Sequence, residues 1–465
     1  MPDARRCGNG RVAGRGGVSI VHGAFGRRRE DAGRLRIIRC VNVSGAGSLS
    51  ARVRILGLIS LAVAINYLDR AVLGIAAPSI QQQFGLNPAV MGVVFSAFSW
   101  TYFLGQVPSG VLLDRFGTRA IYSFSLLAWS LATLLHAAAT GFASLLGLRL
   151  ALGLAEAPCF PANSNVVAKW FPRSERGRAI GVYTAAEYVG LSFMSPVLFW
   201  ILNSFGWRAL FGAAGGIGVA VAFVFARQYR DPADHPSVSQ SELAYVAAGG
   251  GDVGRTAPAP FEPGHVRALF RHRQMWGLCI GQYAVYSTFV FFLTWFPTYL
   301  ATERHMDWIR VGIFTALPYI AGFFGILFAG WWSDLMLASG KTLNVARKLP
   351  VIAGLVGAST IAAANYVESD WVVIGILSVA FFAQAMSSSG WTVISEVAPR
   401  SQIGLVSGLF SASANLSGIV TPLVIGAILQ VTGSFFGALA FVGGVALVGA
   451  LSWIFLIGDI RPIEI

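Results

Sequence analysis

Five ionisable side chains stand inside long apolar stretches of this sequence: Asp69 and Arg70, Arg149 and Glu156, and Glu187. An ionised group at the centre of a bilayer costs at least about 2.5–3.5 kcal/mol on insertion scales, so one that persists there needs a reason. A guanidinium keeps its proton and presents a planar fork of donors that suits a carboxylate. Arg70 is therefore the candidate for binding an organic anion; the alternative is a structural charge cluster with Asp69. A carboxylate in a low-dielectric medium favours its protonated form, which makes Asp69 and Glu156 candidates for taking up and releasing protons. For Glu156 the alternative is a permanent salt bridge to Arg149 or to Arg70. Glu187, in Tyr183-Thr184-Ala185-Ala186-Glu187-Tyr188, is placed to line a cavity or to titrate as a third acid.

Spacing sharpens these roles. Asn66, Arg70 and Gly74 recur every four residues and share a helix face, with Tyr67 beside Arg70. Asp69 is turned by about 100° from Arg70, so it looks toward a neighbouring helix and not into the same cavity. Arg149 and Glu156 are seven apart, on one face and about 10.5 Å apart along the axis. Pro158 and Pro161 follow Glu156, removing backbone donors and opening the helix locally. Tyr67, Tyr102, Gln106, Tyr283, Tyr286, Trp295, Gln384, Ser388, Trp391 and Asn415 are uncharged cavity candidates, although each alone could equally pack against a neighbouring helix. Tyrosine and tryptophan combine an apolar body with one donor, useful against a polyhydroxy or aromatic substrate.

The elements that must position these groups are membrane helices. Of 465 residues 55% are hydrophobic and only 12% charged, half the charged fraction of a soluble protein. Twelve runs are long enough to cross a bilayer, and one long polar interruption divides them six and six. The expected organisation is a basic extension at 1–54, a bundle at 55–227, a cytoplasmic loop at 228–274, a second bundle at 275–458 and a short C-terminus at 459–465. The net charge of +13 would suit a nucleic-acid binder, but twelve arginines against three acids place +9 of it in residues 1–54. No nucleic-acid surface follows from that. The four cysteines and six histidines show no metal-ligand spacing. Counted without the extension, one set of connections holds seventeen basic residues and the other only Arg208, Arg304 and Arg310. By the positive-inside rule both termini are cytoplasmic.

The halves also repeat. Gly110-Val111-Leu112-Leu113-Asp114 is echoed by Gly330-Trp331-Trp332-Ser333-Asp334, and Pro172-Arg173-Ser174 by Pro399-Arg400-Ser401. The offsets of 220 and 227 residues imply a duplicated six-helix unit with a substrate site near the midplane between copies. Aligning the copies puts Thr288 and Phe289 opposite Asp69 and Arg70, so all five deep charges belong to the first copy. The loop Gly110, Asp114, Arg115, Gly117, Arg119 can latch helix ends together, its glycines permitting close approach, and so act as a gate with Asp334 as a degenerate counterpart.

That loop resembles the helix 2–3 motif of the major facilitator superfamily, and the resemblance runs over residues 55–460. Asn66-Tyr67-Leu68-Asp69-Arg70, Phe98-Ser99-Trp100-Thr101-Tyr102, Gly153-Leu154-Ala155-Glu156-Ala157-Pro158 and Trp295-Phe296-Pro297-Thr298-Tyr299-Leu300 are similar to its anion:cation symporter family. The resemblance implies an all-α fold of two six-helix bundles that rock in alternating access, and proton-coupled uptake of a small organic acid, foremost a sugar acid. It implies no cofactor beyond the proton gradient and a monomer in a bacterial inner membrane. Asp69 and Glu156 would be the protonation sites, Arg149 a coupling partner of Glu156, and Arg70 the carboxylate ligand. Tyr67, Tyr102, Glu187, Tyr286, Ser388, Trp391 and Asn415 would line the pocket. Galactonate-type members carry glutamine where this chain has Glu187. Alternatives are an aromatic or dicarboxylic acid substrate, export instead of uptake, and a transport-dead ligand sensor. For residues 1–54 the expectation is an upstream start codon, ahead of a disordered tail and a transit peptide.

Overall fold

The computed structural model describes residues 50–251, 263–399 and 403–463. Most of the basic segment 1–54, Arg255, and the second repeat motif at Arg400 and Ser401 lie outside the described residues.

Apolar helix-forming runs broken by Gly, Pro and Ser set the elements. The first half consists of α1 (Ala51–Phe84), α2 (Pro88–Phe116), α3 (Thr118–His136), α4 (Phe142–Glu156), α5 (Cys159–Trp170) and α6 (Arg176–Gln228). α5 continues the crossing that α4 begins. α6 holds two crossings, because Gly206 within it stands at φ 79°, ψ 172°, a conformation that turns the chain and that a Cβ disfavours. After α7 (Gln240–Ala248) and α8 (Pro263–Leu269), the second half consists of α9 (Arg273–Thr294), the single turn α10 (Phe296–Thr298), α11 (Trp308–Ala338), α12 (Leu343–Ala358), α13 (Asp370–Ser387), α14 (Gly390–Val397), α15 (Ile403–Thr432) and α16 (Phe436–Phe455). With α13 and α14 counted as one crossing, each half has six, the twelve that the hydropathy pattern predicts. α3 buries several polar side chains, Tyr122, Ser125, Ser130, Thr133 and His136.

Several boundaries differ from the sequence expectation. α1 starts at Ala51, so Arg52 and Arg54 belong to the first bundle and not to an extension ending at 54. Arg52 is anchored there: its Nη1 donates to Glu175 Oε2 at 2.6 Å and its backbone N–H to Glu242 Oε1 at 3.2 Å. Glu242 lies on α7, and Tyr245 on the same helix donates to Glu175 Oε1 at 2.8 Å. The first part of the inter-bundle segment is thus fastened to the first half. The α4–α5 break falls at Ala157-Pro158, where Pro158 and Pro161 lack the N–H that an unbroken helix requires. Its counterpart between α13 and α14 falls at Ser388-Ser389 without a proline. There Ser387 Oγ donates to Ala383 O and Val351 O, tying the end of α13 to α12.

The halves meet at the end away from the termini. Phe95 of α2 stands edge-on to Trp295 at 5.1 Å between centroids, and Phe199 of α6 stacks on Trp308 of α11 at 6.3 Å. Gly74 of α1 lies against the backbone of Leu293 and Thr294, and Gly92 of α2 against Pro422 of α15. At the terminal end the described ion pairs, Arg52 with Glu175 and Glu242 and Lys169 with Asp231, stay within the first half and its attached segment. Among the described residues, these contacts between the halves lie toward the end away from the termini.

A Cβ on Gly92 would stand 2.5 Å from the Pro422 carbonyl oxygen, where nothing can yield except the backbone. Gly92→Leu is therefore expected to hold the halves apart at that end. The check is a cysteine placed at Ser99 and labelled from that side by an impermeant maleimide. Labelling should be severalfold faster with Gly92→Leu than without it, and equal rates would contradict the contact described here.

Candidate functional site

The site forms where α1 passes the α4–α5 break. Arg70 Nε donates to Glu156 Oε2 at 2.8 Å, and the two side chains are 4% and 0% exposed. Of the partners open to Glu156 from sequence, Arg70 is the one realised. Arg149 is also buried, but its guanidinium lies over Phe98 at 5.2 Å and its Nε has no hydrogen bond. It reaches Glu156 only through longer-range attraction, so of the two salt bridges left open for Glu156 the one to Arg149 is not formed. The reason is geometric: seven residues of helical rise separate them, whereas α1 brings Arg70 across to the break.

Three aromatic faces enclose Arg70. Its guanidinium carbon is 5.0 Å from the Tyr67 ring centroid, 4.7 Å from Phe98 and 4.8 Å from Tyr102. Cation–π attraction strengthens when such a pair is dry, so these rings help retain a charge that water does not reach. Arg70 Nη2 and Glu156 Oε1 remain without hydrogen bonds. An incoming carboxylate can therefore be offered a spare donor on the arginine. A cavity of about 20 Å³ joins Arg70, Arg149, Phe98, Ser99 and Tyr286, room for one water molecule. A larger crevice of about 350 Å³ lies between α9 and α16, bounded by Ile280, Tyr283, Phe441 and Val448 and without a charged residue. Its apolar lining makes it no counterpart for an anion.

The second half supplies the opposing wall. Tyr286 of α9 faces Arg70. Phe289 occupies the repeat position of Arg70 and contacts Tyr67, Tyr188, Tyr286 and Phe381 at centroid distances of 5.8, 6.4, 5.6 and 5.9 Å. Glu187 is buried beside Tyr67 and Tyr188, and Ser388 at the α13–α14 break faces Tyr188. Asn415 of α15 donates to Gln106 Oε1 of α2 at 3.3 Å, bridging the halves.

Asp69 is 1% exposed, and neither carboxylate oxygen makes a hydrogen bond. It faces Trp129 and Thr133 of α3, the neighbouring helix that its 100° offset from Arg70 anticipates.

Residues 59–364 match the Major Facilitator Superfamily. The chain belongs to that superfamily. It is 40% identical over 429 residues to the probable galactarate/D-glucarate transporter GudP of Escherichia coli (strain K12), covering 90% of this chain and 95% of that one. It is 41% identical over 429 residues to the D-galactonate transporter of Escherichia coli O6:H1, covering 91% and 99%. A bacterial homologue of the human lysosomal transporter Spinster, solved inward-facing and unoccupied, shares the fold at TM-score 0.65 and 20% identity, covering 88% of this chain and 96% of that one. This superfamily member is a multi-pass membrane transporter and not an enzyme.

Not every residue expected at the site joins it. Trp391 is 44% exposed and packs edge-on against Phe410 at 4.8 Å, apart from Arg70. Among the described residues, Asp114 and Asp334 have no ion partner, and Arg115 lies over its own neighbour Phe116. Arg119 donates to Ala226 O at the end of α6 at 3.1 Å. A Cβ on Gly110 would meet nothing within 4 Å, which corrects the expectation that it lets helices approach. Gly117, at φ 83°, is needed instead for the reversal between α2 and α3. Phe98, Phe289 and Tyr188 went unassigned as site residues in the sequence; the repeat register was the available signal for Phe289.

Removing the Glu156 carboxylate leaves Arg70 buried without its counter-ion, a loss of about 3–5 kcal/mol. Glu156→Ala is expected to lower the thermal unfolding midpoint of the purified protein, and an organic anion should restore more of it than it adds to the parent. Unchanged unfolding would mean that the pair carries no such weight.

Proposed function

We propose that this transporter imports a six-carbon sugar acid together with protons, across a bacterial inner membrane with both termini cytoplasmic. The carrying observation is the buried Arg70–Glu156 pair at the junction of the halves. Galactarate, glucarate and galactonate are named for the relatives at 40–41% identity, and each offers a carboxylate for Arg70 and hydroxyls for surrounding tyrosines. Arg70 binds the substrate carboxylate in competition with Glu156. Tyr67, Tyr102, Tyr286, Glu187, Ser388 and Asn415 shape the rest of the pocket. Trp391, Asp114, Arg115 and Arg119 act in gating, away from the Arg70–Glu156 pair.

Asp69 and Glu156 take the protons. Both are buried carboxylates, and one carries only its neighbours' polar edges while the other shares a single guanidinium. Arg149 tunes the charge around Glu156 from a distance. A carboxylate freed from Arg70 by the substrate is left in a medium that penalises its charge, so protonation and substrate binding favour one another. The first part of the inter-bundle segment rides on the first half and serves as a tether, with no separate effector role.

The test uses purified protein in liposomes with radiolabelled D-galactonate and D-glucarate. Uptake of the true substrate should rise with an imposed inward proton gradient and collapse with a protonophore; equal uptake without the gradient would sink symport. Asp69→Asn should abolish accumulation yet leave exchange, whereas Arg70→Ala should remove binding itself. Normal binding by Arg70→Ala would refute the anion assignment.

A further inference from the structure

We propose that Asn66 is the positioning residue through which the state of Asp69 reaches the Arg70–Glu156 pair. The inference rests on the reading above that Asp69 and Glu156 are the proton sites. Asn66 is fully buried, and neither its Oδ1 nor its Nδ2 makes a hydrogen bond. An amide buried with its donors and acceptors unmet costs about 1–3 kcal/mol per group, so an apolar residue would serve packing better. The Asn66 side chain lies beside the Glu156 carboxylate. Of that carboxylate, Oε2 is taken by Arg70 Nε and Oε1 is unpaired.

Helical geometry supplies the other half. At 100° per residue, Asn66 is about 60° from Asp69 on one side and about 40° from Arg70 on the other. One turn before both, it spans the wedge between a carboxylate directed at α3 and a guanidinium directed at the junction of the halves. The groups facing Asp69 are Trp129 and Thr133 from α3 and the charge of Glu156 from α4. Those facing Glu156 are Arg70 and Asn66 from α1 and Arg149 from α4. Asn66 lies beside Glu156 and stands three residues before Asp69 on the same helix, a spacing at which side chains are neighbours on the helix surface.

An amide has one donating and one accepting end, so it answers the two acids differently. While Asp69 is ionised, the Asn66 NH2 group is drawn to it and Glu156 depends on Arg70. Once Asp69 is protonated its hydroxyl donates to Asn66 Oδ1, which turns Nδ2 toward Glu156 Oε1. Glu156 then has a donor independent of Arg70, and the guanidinium is released to the substrate carboxylate. No proton passes through the amide; the proton stays on Asp69 and only hydrogen-bond direction changes. The order is proton first, substrate second.

The experiment measures affinity for D-galactonate and D-glucarate in purified full-length protein at acidic and alkaline pH. The parent should bind more tightly in acid. Asn66→Leu should lose about tenfold in acid, the size of one hydrogen bond to a charged group, and nothing at alkaline pH. Asn66→Ser, which keeps a donor and an acceptor, should recover part of the loss. In a double-mutant cycle, Asp69→Asn and Asn66→Leu should be non-additive. Additive effects, or an Asn66→Leu protein that keeps the parent's acid strengthening, would overturn the inference. If Asp69→Asn itself keeps that strengthening, the assignment of Asp69 as a proton site has failed instead. Should Asn66→Leu not yield folded protein, judged by thermal unfolding, Asn66→Ala carries the same comparison.

Discussion

The structure depends on one buried ion pair. Arg70 and Glu156 are each too costly to bury alone in a membrane interior, so α1 and the α4–α5 break are obliged to come together, and the rest of the first half follows. The Gly153 backbone can lie against Phe98 and Thr101 because it has no Cβ to clash there. Thr101 Oγ1 donates to Leu150 O at 2.6 Å and holds α2 to α4. That packing brings Phe98 and Tyr102 over the guanidinium. The aromatic faces lower the cost of a charge that its single carboxylate partner only partly satisfies, and leave a donor on Arg70 unused. A pair that is well held and incompletely bonded is one that a second carboxylate can contest.

The duplication distributes labour unevenly. At the repeat position of Arg70 the second half has Phe289, whose ring contacts four other aromatic rings. At the position of the proline break it has a serine run that achieves a similar interruption by different means. The deep charges Asp69, Arg70, Arg149, Glu156 and Glu187 are therefore confined to one half. The other contributes shape and a few hydroxyls, so the two copies keep a common frame while only one bears the electrostatic cost.

Much of this was legible in the residues. The number of crossings, their division into halves, the five deep charges and the outward turn of Asp69 all follow from hydropathy, charge cost and helical angle. Less legible were choices that depend on how helices cross. Spacing placed Arg149 and Glu156 on one face but could not reveal that α1 delivers Arg70 to Glu156 first. Trp391 looks like a pocket residue by type, yet the α13–α14 break carries it to Phe410. Gly110 matches a motif, yet a Cβ there would meet nothing within 4 Å, which spacing alone does not reveal. Arg52 reads as part of a basic tail because its partners, Glu175 and Glu242, are far away in sequence.

The way the halves touch bears on how they can move. Across their junction run Phe95 against Trp295, Phe199 against Trp308, glycines against backbone, and the neutral hydrogen bond from Asn415 to Gln106. No ion pair among the described residues spans it; the pairs lie inside a half. Parting two aromatic surfaces in a membrane exposes no uncompensated charge, so rocking avoids the several kcal/mol that separating a buried salt bridge would require. In the proposed scheme the buried carboxylates would influence the motion from within the first half, by deciding whether Arg70 is held by Glu156 or available to the substrate. Under that scheme coupling and movement would be separated in space: the buried charges lie on one side of the junction, and the uncharged contacts across it permit the swing.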